Sequence, residues 1–165
     1  MWEAEEDMDT LEMAEEKLGF PIARPAYLPE GSYAGFITIE GYRETDRYDS
    51  VEFRYIMKLD WVTFWFTFYQ NLVGTEATLL LETVNQIERV DYEGEIYLCV
   101  SRKSEEYKHN DISLHWLKDE FAYCIEISAF GPDEFETDTD RLYFENSPQL
   151  DEALRIAASL TFAEE

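Results

Sequence analysis

The stretch Ile112–Ser128, "ISLHWLKDEFAYCIEIS", decides how the chain is read. Ile112, Leu114 and Trp116 alternate with Ser113, His115 and Leu117, and after Asp119-Glu120 the alternation resumes with Phe121, Tyr123, Ile125 and Ile127. Period-two patterning on both sides of a two-residue turn predicts an antiparallel hairpin with one face on a core. The same signature recurs upstream. "NQIERVDYEGEIYLCVS" (85–101) reads as two strands joined at Glu93-Gly94, and "SVEFRYIMKL" (50–59) puts Val51, Phe53, Tyr55, Met57 and Leu59 on one face, with Glu52, Arg54 and Lys58 on the other. Short turns between strands imply an antiparallel meander.

Helices are expected at both ends. Ala4, Met8, Leu11, Ala14 and Leu18 recur at helical spacing with acids between them, and Gly19 and Pro21 stop the pattern, which predicts a helix over 1–18. Pro21, Pro25 and Pro29 then hold the chain extended up to the turn residues Glu30-Gly31 and a first strand near Tyr33. No lysine follows these glycines and no glycine run opens a helix, so the segment reads as a connector rather than a phosphate cradle. Residues 129–147 read as an acidic loop in which Leu142, Tyr143 and Phe144 either anchor the chain or form a short strand. Ser147-Pro148 begins a last helix over 148–161, with Ser147 as its cap and Leu150, Ala153, Leu154, Ala157 and Leu160 as its apolar stripe. The fold expected is therefore a single α+β domain spanning 1–165. A strongly curved antiparallel sheet of six or seven strands over 33–128 is covered by the terminal helices in a half-barrel-like arrangement.

Composition bounds the function. Asp and Glu number 37 against 13 Lys and Arg, a formal charge of −24. A surface so negative repels phosphate backbones and anionic headgroups, which argues against nucleic acid and against electrostatic membrane docking. The 45% hydrophobic and 16% aromatic content is that of a folding chain. No apolar run has the length of a membrane span, and the acidic start is no signal peptide. Monomer or weak dimer is the expected state.

Catalytic and metal constellations are not indicated. His109 lies in the charged stretch "RKSEEYKHND", and Ser113 with His115 has neither an orienting carboxylate nor an oxyanion donor beside it, so His115 reads as a surface or edge residue. Two histidines without a zinc-binding spacing predict no metal, and the alternating acids Glu134, Glu136, Asp138 and Asp140 lack the order of a calcium loop. No cofactor is expected. Cys99 and Cys124 are both placed on strand faces opposite the core, too far apart to bridge, hence free.

The most informative stretch is "WVTFWFTFYQ" (61–70). Val62, Phe64, Phe66 and Phe68 form a core face. Trp61, Trp65 and Tyr69 stand on the other, spaced by threonines. A strand apolar on both sides is either covered on both sides or leaves an aromatic surface, and Trp61, Trp65 and Tyr69 are the candidate ligand- or partner-binding residues.

"LGFPIARPAYLPEGS" (18–32), the hairpin at 112–128 and "LDEALRIAASL" (150–160) together resemble a bacterial family, domain-of-unknown-function family 4367. Its members are often the extracytoplasmic C-terminal domain of membrane-anchored proteins, some of them regulators. The resemblance implies an extracytoplasmic setting and carries no catalytic residues. By looser analogy the architecture is similar to lipoprotein-carrier half-barrels. The expected function is thus a non-enzymatic binding or sensory module for a protein or peptide partner. The alternatives are a carrier or sensor of a lipophilic small molecule on a concave aromatic face and, more remotely, a hydrolase.

Overall fold

The structure is a computed structural model that describes residues 3–42, 47–59, 62–74, 87–104 and 109–162. Its centre is an open, eight-stranded antiparallel sheet. In chain order the elements are β1 (Glu3–Asp7), α1 (Leu11–Leu18), β2 (Ala23–Pro25), β3 (Tyr33–Tyr42), β4 (Arg47–Lys58), β5 (Thr63–Leu72), β6 (Ile87–Tyr92), β7 (Glu95–Ser104), β8 (His109–Lys118), β9 (Phe121–Phe130), α2 (Asp138–Glu145), α3 (Leu150–Ala158) and β10 (Leu160–Phe162). The large sheet runs β1-β3-β4-β5-β9-β8-β7-β6, and β10 pairs with β2 in a separate ribbon.

This corrects the expected architecture. The sheet is neither curled into a half-barrel nor limited to seven strands, and it is not one continuous meander. After β5 the chain proceeds to the far edge, β6, and returns strand by strand until β9 pairs with β5, from Thr63↔Phe130 to Leu72↔Phe121. Alternation specifies which residues share a face but not which strands are neighbours, so both arrangements satisfy the same pattern.

The two predicted hairpins are present. Glu93 and Gly94 both have positive φ (48° and 82°), the geometry that matches a tight turn to strand twist. The front face carries the core: Val51 and Phe53 of β4, Phe64, Phe66 and Phe68 of β5, Ile112, Leu114 and Trp116 of β8, and Tyr123, Ile125 and Ile127 of β9. Ala14 and Leu18 of α1, Phe144 of α2 and Ala153, Leu154, Ile156 and Ala157 of α3 pack into the same cluster.

Three local expectations change. Residues 3–7 form an edge strand, because Thr10, extended and accepting a hydrogen bond from Met13 N (3.1 Å), starts the helix only at Leu11. The acidic 129–147 region contains α2, capped by Thr137 accepting from Asp140 N at 3.1 Å. The last helix is capped at Gln149, not Ser147, whose hydroxyl instead donates to Tyr143 O (2.7 Å).

The proline segment is a crossbeam. Buried Gln70 accepts from Ala23 N (2.8 Å) and donates to Pro21 O (3.0 Å). Glu15 accepts from Ile22 N (2.8 Å) and from the Arg24 guanidinium (2.6 Å), while Ser159 accepts from Ala26 N on its carbonyl and from Tyr27 N on its hydroxyl (both 3.1 Å). Sheet, α1 and the end of α3 thus all grip residues 21–27.

Candidate functional site

The back face of the sheet holds the residues singled out by patterning. The side chains of α1, α2 and α3 that enter the core all do so on the front, and no described helix packs on the back. Trp65 and Tyr69 share this back face, both half-buried; Trp61 lies outside the described residues.

Register assembles more than the sequence indicated. Ile56 of β4 and Ser128 of β9 lie opposite Trp65 on either side, and Arg54 lies opposite Thr67. The Arg54 guanidinium sits 4.0 Å from the Trp65 ring centre and 4.7 Å from that of Phe36, and its Nε donates to Thr67 Oγ1 at 3.0 Å. On the other side Trp65 packs against Phe130 (centroids 4.5 Å), which stacks on His109 (4.4 Å, 13° between planes). His109 Nε2 lies 2.6 Å from Asp111 Oδ1, close enough for an ion pair, although the ring N–H is not aligned for a hydrogen bond. Phe36, Arg54, Trp65, Phe130 and His109 therefore form one ladder across β3, β4, β5, β9 and β8. Cation–π and aromatic contacts in such a row each contribute on the order of 0.5–1.5 kcal/mol. Tyr33, opposite Ile56, extends the row toward solvent: it is 46% exposed and Phe36 37%.

A polar row lies beside it. Ser113 Oγ and Cys124 Sγ stand 2.9 Å and 3.9 Å from His115 Nε2. Burial, then the Arg102 charge, lowers the pKa of His115 and keeps its imidazole neutral. Burial, then Glu126, pushes the Cys124 thiol up to about 12, so Cys124 stays protonated at neutral pH. Burial and the neighbouring Asp111 raise Glu126. The Tyr69 hydroxyl is raised by burial and by its hydrogen bond to Glu52.

Several residues stand elsewhere than expected. His115 is on an interior strand and not at an edge, and His109 opens β8 rather than lying in a loop. Cys99 faces the core opposite Leu114, whereas Cys124 faces the back, so the cysteines lie on opposite sides of the sheet; both are free. Arg54, Phe36, Phe130 and His109 were not found by sequence reasoning, because only cross-strand pairing brings them to Trp65. The signal available was their in-strand phase relative to neighbouring core residues.

Chemically, the polar row holds a neutral base beside a hydroxyl and a protonated thiol, and Asp111, the orienting carboxylate nearest in sequence, is paired with His109 instead. Among the described residues no group of three His, Cys, Asp or Glu is arranged to hold a metal ion. No helix among them is long and apolar enough to cross a membrane. Comparison of the chain with protein-family models, curated proteins and solved structures finds no match.

Proposed function

We propose that the protein is a non-enzymatic interaction module that docks a basic polypeptide segment on the aromatic end of its back face. The observation that carries this reading is the continuity of exposed Tyr33 and Phe36 with the Arg54–Trp65–Phe130 row, which presents a preorganised aromatic surface at low entropic cost. The formal charge of −24 supplies the long-range attraction that favours a Lys- and Arg-rich partner. The carrier reading required a concave aromatic face, and the open sheet removes that concavity. The extracytoplasmic setting rests on the family resemblance alone.

The test is selection of displayed random peptides on the intact protein, with Tyr33→Ser/Phe36→Ser as the counter-screen. Tyr33 and Phe36 are exposed and, among the described residues, only the Phe36–Arg54 ring contact is lost, so the variant should stay folded and melt within about 6 °C of the parent. Basic peptides carrying an aromatic or aliphatic anchor should be enriched and should lose at least about tenfold in affinity on the variant. No enrichment, or equal binding to both proteins, would sink the proposal.

A further inference from the structure

A second site lies on the opposite side of the sheet. Between the β4–β5–β9 strands and the start of α3 is a half-open cavity of about 270 Å³. Its floor is Met57, Phe64, Phe66 and Ile127, and its rim includes Glu152 in the first turn of α3. Small-molecule pockets run from roughly 300 to 1,000 Å³, so this one suits a ligand with about one ring or a short alkyl chain. The floor offers no side-chain hydrogen-bonding group, while Tyr143, Ser147, Gln149 and Glu152 supply polar groups elsewhere in the lining, which favours an occupant with an apolar body and a polar end.

The rim sets the charge of that occupant. The Tyr27 hydroxyl donates to Glu152 Oε1 at 2.8 Å, and Arg155 covers the Tyr27 ring at 3.7 Å, so the carboxylate is held in place by a braced partner. The same hydrogen bond raises the pKa of Tyr27, so the proton stays on the phenol. An ammonium group gains an ion pair together with its hydrogen bond here, an alcohol gains the hydrogen bond alone, and a carboxylate meets like charge in an already negative molecule.

We propose that this cavity binds a small amphipathic amine, with its apolar body on Met57, Phe64, Phe66 and Ile127 and its ammonium on Glu152. This site is independent of the back-face reading and fails or stands without it.

The experiment compares 4-phenylbutylamine, 4-phenylbutan-1-ol and 4-phenylbutyrate by calorimetry and amide chemical-shift mapping on the full chain. Salt of about 0.3 M screens unspecific attraction of cations to the acidic surface. The amine should bind at least about tenfold tighter than the alcohol, with shifts confined to the cavity and its rim, and the acid should not bind. Glu152→Gln, which keeps an acceptor for Tyr27, should bring the amine down to the level of the alcohol. Met57→Trp, which fills the cavity from a partly buried position on its floor, should abolish binding of both, with thermal melts verifying that each variant is folded. Equal amine binding to Glu152→Gln, shifts scattered over the acidic surface, or no binding of any probe by the parent protein would each overturn the proposal.

Discussion

At the scale of the residue, the back face is governed by what burial does to individual groups. Glu126 stands between Thr67 of β5 and Ser113 of β8, and burial, then Asp111, raises its pKa above the usual 4.5. Its folded pKa thus exceeds its unfolded one, so the related stability is fully present below the unfolded value and is lost as pH rises through the folded value. Glu126→Gln removes that loss. In urea denaturation the variant should gain on the parent as pH rises from about 5 to about 8; a difference independent of pH would show that Glu126 ionises freely in the folded protein. Trp65 and Tyr69 were legible as one face because period-two alternation assigns faces directly. Arg54 and Phe130, which clasp Trp65, were not, because a side chain's neighbours across strands depend on pairings that no single strand encodes.

At the scale of the element, the chain signalled its strands more clearly than its ends. Glu93-Gly94 and Asp119-Glu120 were readable as turns, and the strands flanking them lie where alternation put them. The first helix was overextended because the acid-rich start of the chain fits a narrow helical stripe as well as an edge strand; the cap at Thr10 decides between them. Helix α2 was missed because eight residues carrying three aspartates and glutamates in "DTDRLYFE" have weak helical propensity until Phe144 is buried against the sheet. The proline segment illustrates how far a connector can depend on one side chain. Gln70→Leu keeps the volume near Gln70 but leaves Ala23 N and Pro21 O without their buried partner. It should cost about 2–6 kcal/mol, at 1–3 kcal/mol for each of the two stranded groups, and hydrogen exchange at Ala23 should accelerate with it. An unchanged urea midpoint would mean that β10, Glu15 and Ser159 hold the segment without Gln70.

At the scale of the whole molecule, charge and topology set the behaviour. A net −24 in 165 residues makes self-repulsion a cost of the compact state. Raising NaCl from about 20 mM to about 500 mM should therefore raise the Tm by roughly 3–8 °C, and a flat or falling Tm would show that local ion pairs such as Arg24–Glu15 outweigh the general repulsion. The order of the sheet was the least legible property, since it depends on which meander end meets which. Its outcome is a central seam, β5 on β9, between strands far apart in sequence. β3–β4–β5 on one side and β6–β7–β8–β9 on the other are consecutive strands that need only local contacts, while β1 joins the edge at β3 across α1 and β2. While that seam is open, the two half-sheets present complementary phenylalanine- and isoleucine-rich borders, and a β5 border cannot distinguish its own β9 from that of another chain. Refolding at high concentration should therefore favour domain exchange, in which two molecules complete each other's sheets and the native pairing is reproduced between chains, visible as a dimer on gel filtration that dilute refolding does not give.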